Sequence, residues 1–212
     1  MNKLAVFDFD STLLDGESIN LVLEQILSDP MQKETLEQIR AQGMLGNISL
    51  KKSLESRIAF FKGLKLSQLE KICQDFAWTS GAIETIEALK QRGYLTLCLS
   101  GGFQTATRRV MTELGVDAYC CNRLSVNNGI LTGHIDGQLM QHSSKGKILK
   151  QVQTRMNISP ENTLVVGDGA NDLSLFNHAK LKIAFCAQEI LKKQATVIIE
   201  QKDLREVIKF LS

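Results

Sequence analysis

Apolar residues along this chain fall into two registers. Short unbroken runs stand directly before clusters of acidic and small residues: Leu4-Ala5-Val6-Phe7 before Asp8-Phe9-Asp10-Ser11-Thr12, and Thr163-Leu164-Val165-Val166 before Gly167-Asp168-Gly169-Ala170-Asn171-Asp172. Runs of this length read as strands buried on both faces. Residues 94–99, 182–187 and 196–199 read the same way. Between the first strand and residue 76 the period changes to that of a helix. Ile19, Val22, Leu23, Ile26 and Leu27 recur at helical spacing, as do Leu50, Leu54, Ile58 and Phe61. Ser67-Gln68-Leu69-Glu70 predicts a capping box that opens another helix, and Gly43, Gly46 and Asn47 mark a break between helices. From Ser80 onward strands and helices alternate. A helix carries Ile83, Ile86 and Leu89. Ser100-Gly101-Gly102 closes a strand and opens a helix carrying Phe103, Ala106, Val110 and Leu114. Asn127-Asn128-Gly129 predicts a hairpin turn, residues 144–156 a helix, and the chain ends in a helix reaching Leu211.

This layout predicts an α/β fold: a doubly wound, Rossmann-like parallel sheet with a helical cap inserted after the first strand. The expected division is a core of residues 1–16 and 77–212 and a cap of residues 17–76, with hinges near 14–17 and 76–80. In such a sheet the C-terminal ends of the strands meet in one crevice, where ligands bind. Asp8 and Asp168, far apart in sequence, are expected to meet there.

Composition narrows the classes. The chain has 212 residues, 43% apolar and 23% charged, with two prolines and a net charge of +2. That charge is too mild for nucleic-acid binding, and no basic block supports it. No apolar run approaches the ~20 residues that span a bilayer, and no secretory signal pattern opens the chain, so a cytoplasmic location is expected. Cys73, Cys98, Cys120, Cys121 and Cys186 are odd in number and lack paired spacing. They read as small buried residues in a reducing compartment. His134, His142 and His178 are scattered and read as surface or packing residues.

The acidic clusters carry the chemistry. On an extended strand Asp8 and Asp10 point the same way, with Phe9 turned into the core. Two carboxylates so placed suit one nucleophile and one proton handler. Ser100, Gly101 and Gly102 suit the close approach of an anion. A lysine near the start of the helix at 144–156 suits a phosphoryl group, and pattern alone leaves Lys145 and Lys147 equivalent. Asp168 adds a third acid at a strand end, and Asp172 opens the next helix. Carboxylates without nearby His or Cys ligands specify Mg2+ rather than zinc.

Taken in order, Asp8-x-Asp10-Ser-Thr, Ser100, Lys145 and Gly-Asp168-Gly-x-Asn171-Asp172 resemble the motifs of the haloacid dehalogenase superfamily, and within it the phosphoserine phosphatase family. The resemblance implies that Asp8 is the nucleophile, forming an aspartyl phosphate. It implies that Asp10 protonates the leaving oxygen and then activates water. It places Mg2+ on Asp8, on the backbone carbonyl of Asp10 and on Asp168, with Asp172 orienting metal-bound water. Ser100, Gly101 and Lys145, chosen over Lys147, would bind the phosphoryl oxygens. Glu17 would meet the ammonium of phosphoserine and Arg57 its carboxylate, while Met44, Gly102 and Asn171 would line the substrate site. The chain departs from the family at Leu50, where the lid usually has Phe, and it matches poorly over residues 29–38. The implied partner is a small phosphate ester, acted on by a monomer or homodimer. A related enzyme of phosphothreonine, homoserine phosphate or a sugar phosphate is the alternative.

Overall fold

The computed structural model describes residues 3–44 and 47–211, without the Met44 side chain, so Gly46 and the expected role of Met44 lie outside the described residues. Seven strands form one sheet in the order β4-β3-β2-β1-β5-β6-β7. They are β1 (Lys3–Phe7), β2 (Tyr94–Phe103), β3 (Ala118–Asn127), β4 (Ile130–Asp136), β5 (Thr163–Gly167), β6 (Leu181–Phe185) and β7 (Val197–Ile199). All pairs are parallel except β3 with β4, which form a hairpin. Asn128 and Gly129 both take positive φ, at 49° and 76°, which matches the strand twist across a two-residue turn.

The two faces of β1 separate the core into two layers. Ala5 and Phe7 pack into one apolar cluster, Leu4 and Val6 into the other. The first cluster continues into the helical insertion through Val22, Leu23, Ile58, Phe61 and Leu69. That insertion holds α1 (Ser18–Ile26), α2 (Pro30–Met44), α3 (Leu50–Ile58) and α4 (Leu66–Gln74). Its two connections to the sheet run side by side: Asp15 N–H donates to Ala77 O at 3.0 Å, and Thr79 N–H to Leu13 O at 2.9 Å. It is also tied to the hairpin, where Leu131 N–H donates to Leu64 O at 2.8 Å and Leu66 N–H to Gly129 O at 2.8 Å. Phe61 meets Phe103 edge-on at 5.7 Å.

The remaining helices are α5 (Ala82–Gln91), α6 (Gln104–Thr107), α7 (Arg109–Glu113), α8 (Ser144–Met156), α9 (Leu173–Phe176) and α10 (Glu189–Lys192). Five local expectations are corrected. The capping box at Ser67 does not form: α4 starts two residues earlier than a cap at Ser67 implies, at Leu66, with Lys65 at the cap position, no side-chain cap, and the Leu66 amide satisfied by the hairpin. Ser100-Gly101-Gly102 lies within β2 as an irregularity in its pairing with β3, and does not open a helix. The expected helix beyond it is two short pieces. Thr107 Oγ1 donates to the Phe103 carbonyl at 3.1 Å, a back-bond of the kind that bends helices. The last helix is a 3-10 helix over Leu204–Phe210. Cys186 is exposed rather than buried, at the end of β6.

Candidate active site

Strand order reverses at β1, whose neighbours are β2 on one side and β5 on the other. This is the switch point of a doubly wound sheet, and the crevice beyond its strand ends is the expected ligand position. In register Phe7 lies beside Cys98 of β2 and Val166 of β5, so the residues that follow these three positions face one space.

The chain leaves β1 at Phe7, one residue before the first carboxylate. Asp8 and Asp10 are therefore displayed by a turn and not by strand alternation. Asp8 remains extended, Ser11 takes φ 56°, and Leu14 N–H closes the loop onto Phe9 O at 2.8 Å. Asp8 is tethered to β5 by its own N–H, donated to Val166 O at 3.0 Å. Its Oδ1 accepts from Phe9 N–H at 2.6 Å, and Asn171 Nδ2 donates to its Oδ2 at 3.3 Å.

Lys145, on the first turn of α8, lies 2.6 Å from Asp8 Oδ1 and 2.7 Å from Asp172 Oδ1. Its side chain is 3% exposed, while Lys147 is exposed. Geometry thus separates the two lysines that pattern left equivalent. Burial opposes the charge on Lys145, but Asp172 and Asp8 outweigh it and hold the ammonium above its ordinary pKa. Asp172 is fully buried, and its Oδ2 accepts from the N–H groups of Asp168 at 3.1 Å and Gly169 at 3.2 Å. A side chain at Gly167 would stand 2.5 Å from that same oxygen, so only glycine lets Asp172 reach this position.

Asp8, Asp168 and Asp172 each offer a carboxylate oxygen within 4.8 Å of the others. Three acids so close, with one lysine among them, are under-neutralised. Burial and then the charges of Asp8 and Asp172 push Asp168 up to about 9. Burial and then Asp8 push Asp172 up to about 7. Asp8 is also raised, by burial against the opposing pull of Lys145. All three donors are hard oxygens. The set fits a hard divalent cation, which would relieve the repulsion that Lys145 leaves.

The Asp10 carboxylate is not part of that trio. Its Oδ1 accepts from Ser18 N–H at 2.6 Å, and Ser100 Oγ lies 3.5 Å from its Oδ2. Burial, followed by the charge of Glu17, pushes it up to about 6. Ser100 Oγ accepts from Gly102 N–H at 2.9 Å, and Gly101 O accepts from Asn122 Nδ2 at 2.9 Å. Asn122 is a fully buried residue that sequence reasoning passed over. It stands on β3 and fastens the Leu139 segment through both its amide groups.

The insertion contributes Glu17 and Arg57. Exposed Glu17 accepts from Ser11 Oγ at 3.1 Å. Arg57 Nε is buried with no hydrogen-bond partner. Burial lowers the pKa of its guanidinium, against the charges of Glu17 and Asp10. A guanidinium held this way has donors free for an incoming anion. Leu50, where the family usually has Phe, opens α3 half-buried.

A buried carboxylate beside a lysine at the switch point, with further acids from the next strand, defines a hydrolase fold built for phosphoryl transfer. The haloacid dehalogenase-like hydrolase model matches residues 5–177. The chain is 44% identical to a phosphoserine phosphatase of Wolinella succinogenes over 99% of this chain and all of that protein. It is 41% identical to one of Methanocaldococcus jannaschii, over 99% of this chain and 97% of the relative. A solved substrate-bound phosphoserine phosphatase complex superposes with a TM-score of 0.91 at 40% identity, covering 100% of this chain and 99% of that one. A phospho-aspartyl intermediate analogue of phosphoserine phosphatase gives 0.90 at 40% identity, with the same coverage. The chain belongs to the haloacid dehalogenase-like hydrolases and, within them, to the phosphoserine phosphatase family.

Proposed function

We propose that this chain hydrolyses O-phospho-L-serine to serine and phosphate, in two displacements through Asp8. The observation that carries this reading is the Asp8 carboxylate, 3% exposed and bonded to Lys145 at 2.6 Å, at the end of the central strand. In the first displacement the Asp8 carboxylate forms a bond to phosphorus as the ester P–O bond breaks. The ester oxygen keeps the electron pair and takes a proton from Asp10. In the second, water attacks phosphorus, its proton passes to Asp10, and the Asp8–phosphorus bond breaks. Asp10, at about 6, exchanges a proton readily near neutral pH.

Lys145, Ser100 and the Gly101 amide bind the phosphoryl oxygens, and Asn171 and Gly102 line the substrate site. Glu17 and Arg57 read the ammonium and carboxylate of phosphoserine, and Met44 covers it. Asp8, the Asp10 carbonyl and Asp168 hold Mg2+, with Asp172 behind them. Bound there, Mg2+ neutralises phosphoryl oxygens that would repel an incoming carboxylate. Uncatalysed hydrolysis of phosphate monoesters is so slow that rate gains approach ~10^21-fold, which explains the density of charge in this site. The insertion, residues 17–76, acts as a lid over the crevice, excluding bulk water during the first step.

A cytoplasmic setting is supported by five free cysteines. No helix among the described residues is long and apolar enough to cross a membrane.

Steady-state phosphate release from phosphoserine with Mg2+ tests the reading. Wild type is expected to turn over, and Asp8→Asn to lose at least about 10^4-fold. Equal rates in the two proteins, or turnover of other phosphate esters alone, would refute it.

A further inference from the structure

Ser18 opens α1 at the root of the insertion and is fully buried. Its backbone N–H holds Asp10 Oδ1 at 2.6 Å. Its Oγ is buried without a hydrogen-bond partner. An orphaned buried hydroxyl is unfavourable and calls for an explanation.

The surroundings of Gly102 supply one. The position a Cβ would occupy there lies 3.0 Å from Ser100 Oγ, 3.1 Å from Ser18 Oγ and 3.2 Å from Asp10 Oδ2. Three oxygens from three segments therefore line one small space, kept open by the missing side chain. Two of them have settled contacts. Ser100 Oγ accepts from the Gly102 amide, and Asp10 is anchored through its other oxygen. Asp10 Oδ2 has the long 3.5 Å contact from Ser100 Oγ and Ser18 Oγ has no partner, and both face the same space.

We propose that Ser18 is a contact for the leaving group: its Oγ–H donates to the ester oxygen while Asp10 delivers the proton to that same oxygen. This inference rests on the phosphoester hydrolysis proposed above. As the ester P–O bond breaks, its electron pair collects on the departing oxygen. The Asp10 proton forms the new O–H bond, and the Ser18 hydrogen bond stabilises the charge that precedes it without transferring a proton. A donor aimed where charge develops is worth about 10^2-fold in rate. The same residue thus acts twice, through its amide on Asp10 and through its hydroxyl on the substrate. Asp10 assignments alone leave the hydroxyl without a task.

The test compares leaving groups in wild type, Ser18→Ala and Ser18→Thr, reading kcat/KM with Mg2+. This ratio reports the first displacement and not the water step, which all esters share. An alkyl ester such as phosphoserine departs as a poor alkoxide and needs both donors. An aryl ester such as p-nitrophenyl phosphate departs as a stable phenolate and needs neither.

Ser18→Ala is expected to lose about 10^2-fold on phosphoserine and far less on the aryl ester. Ser18→Thr, which keeps the hydroxyl, is expected to recover most of the loss. Equal losses on the two esters, or no loss on phosphoserine, would overturn the inference. Should Ser18→Ala fail to fold, Ser18→Thr and Ser18→Cys carry the same comparison, since cysteine is the weaker donor. If wild type turns over other alkyl phosphates but not phosphoserine, the substrate reading fails and the comparison runs on those esters instead.

Discussion

Four polar groups on the sheet side of the crevice and two on the insertion side are held differently. On the sheet side Asp8, Lys145, Asp172 and Ser100 all have protein partners before any substrate arrives. On the insertion side Ser18 Oγ and Arg57 Nε are buried and have none. A satisfied network holds its geometry, and an unsatisfied group pays a cost that a ligand can relieve. On the function proposed above, phosphoryl chemistry belongs to the preassembled half and recognition of the rest of the ester to the half left open.

The sharpest way to break that contrast is at its charge-neutralising lysine. Lys145→Met removes the cation between Asp8 and Asp172 and leaves buried acids uncompensated. We expect a loss of about 3–5 kcal/mol in denaturant unfolding without metal, along with nearly all turnover. A variant as stable as wild type would show that the sheet half does not depend on this pairing.

Arg57→Ala tests the open half. KM for phosphoserine is expected to rise about 10- to 100-fold, the worth of a charge-assisted pair, with little change for an aryl phosphate that has no carboxylate. Equal effects on both esters would move Arg57 out of recognition.

Metal addition comes next. Mg2+ at 100 times its dissociation constant is expected to stabilise the fold by about 2.7 kcal/mol, reversed by a chelator and absent in Asp168→Asn. A melting temperature indifferent to Mg2+ would remove the cation from the trio.

The smallest effect lies away from the crevice and serves as a control. Asp117 is partly buried, which opposes its charge, yet hydrogen bonds from Thr96 and Lys90 hold its carboxyl below the ordinary 3.8. A lowered native pKa means that its stabilisation is complete above 3.8 and is lost as pH falls through the native value. With its side chain 34% exposed, Asp117→Asn is expected to cost no more than about 1 kcal/mol at pH 7. That gap should close in acid, with no change in KM at neutral pH.

Strands were the most legible part of the chain, because an apolar run ending in carboxylates leaves little choice of environment. Leu4–Phe7 and Thr163–Val166 lie in β1 and β5, and the meeting of Asp8 with Asp168 follows from parallel pairing. Local signals failed where a distant partner replaced them. Ser67 lost its capping position because the hairpin's Gly129 carbonyl takes the Leu66 amide and the helix begins there, and Ser100-Gly101-Gly102 lies inside β2 because Phe103 beyond it still pairs with Asn122 of β3. Asn122 and Ser18 carry little sequence signal, since one polar residue in a strand or a first helical turn is ordinary. Only the three-dimensional neighbours, the Leu139 backbone and the Gly102 cleft, single them out. Lys145 and Lys147 differ by two positions on one helix, and only burial and the ion pairs of Lys145 with Asp8 and Asp172 distinguish them.

The central claim is that phosphate departs through a covalent bond to the carboxylate at the end of β1. Hydrolysis of a serine phosphorothioate made chiral at phosphorus by sulfur and two oxygen isotopes, run in water of the third isotope, tests it in a single measurement. Two successive in-line displacements predict thiophosphate with retained configuration. Inverted configuration would mean that water attacks the ester directly, and the role given to Asp8 would be wrong.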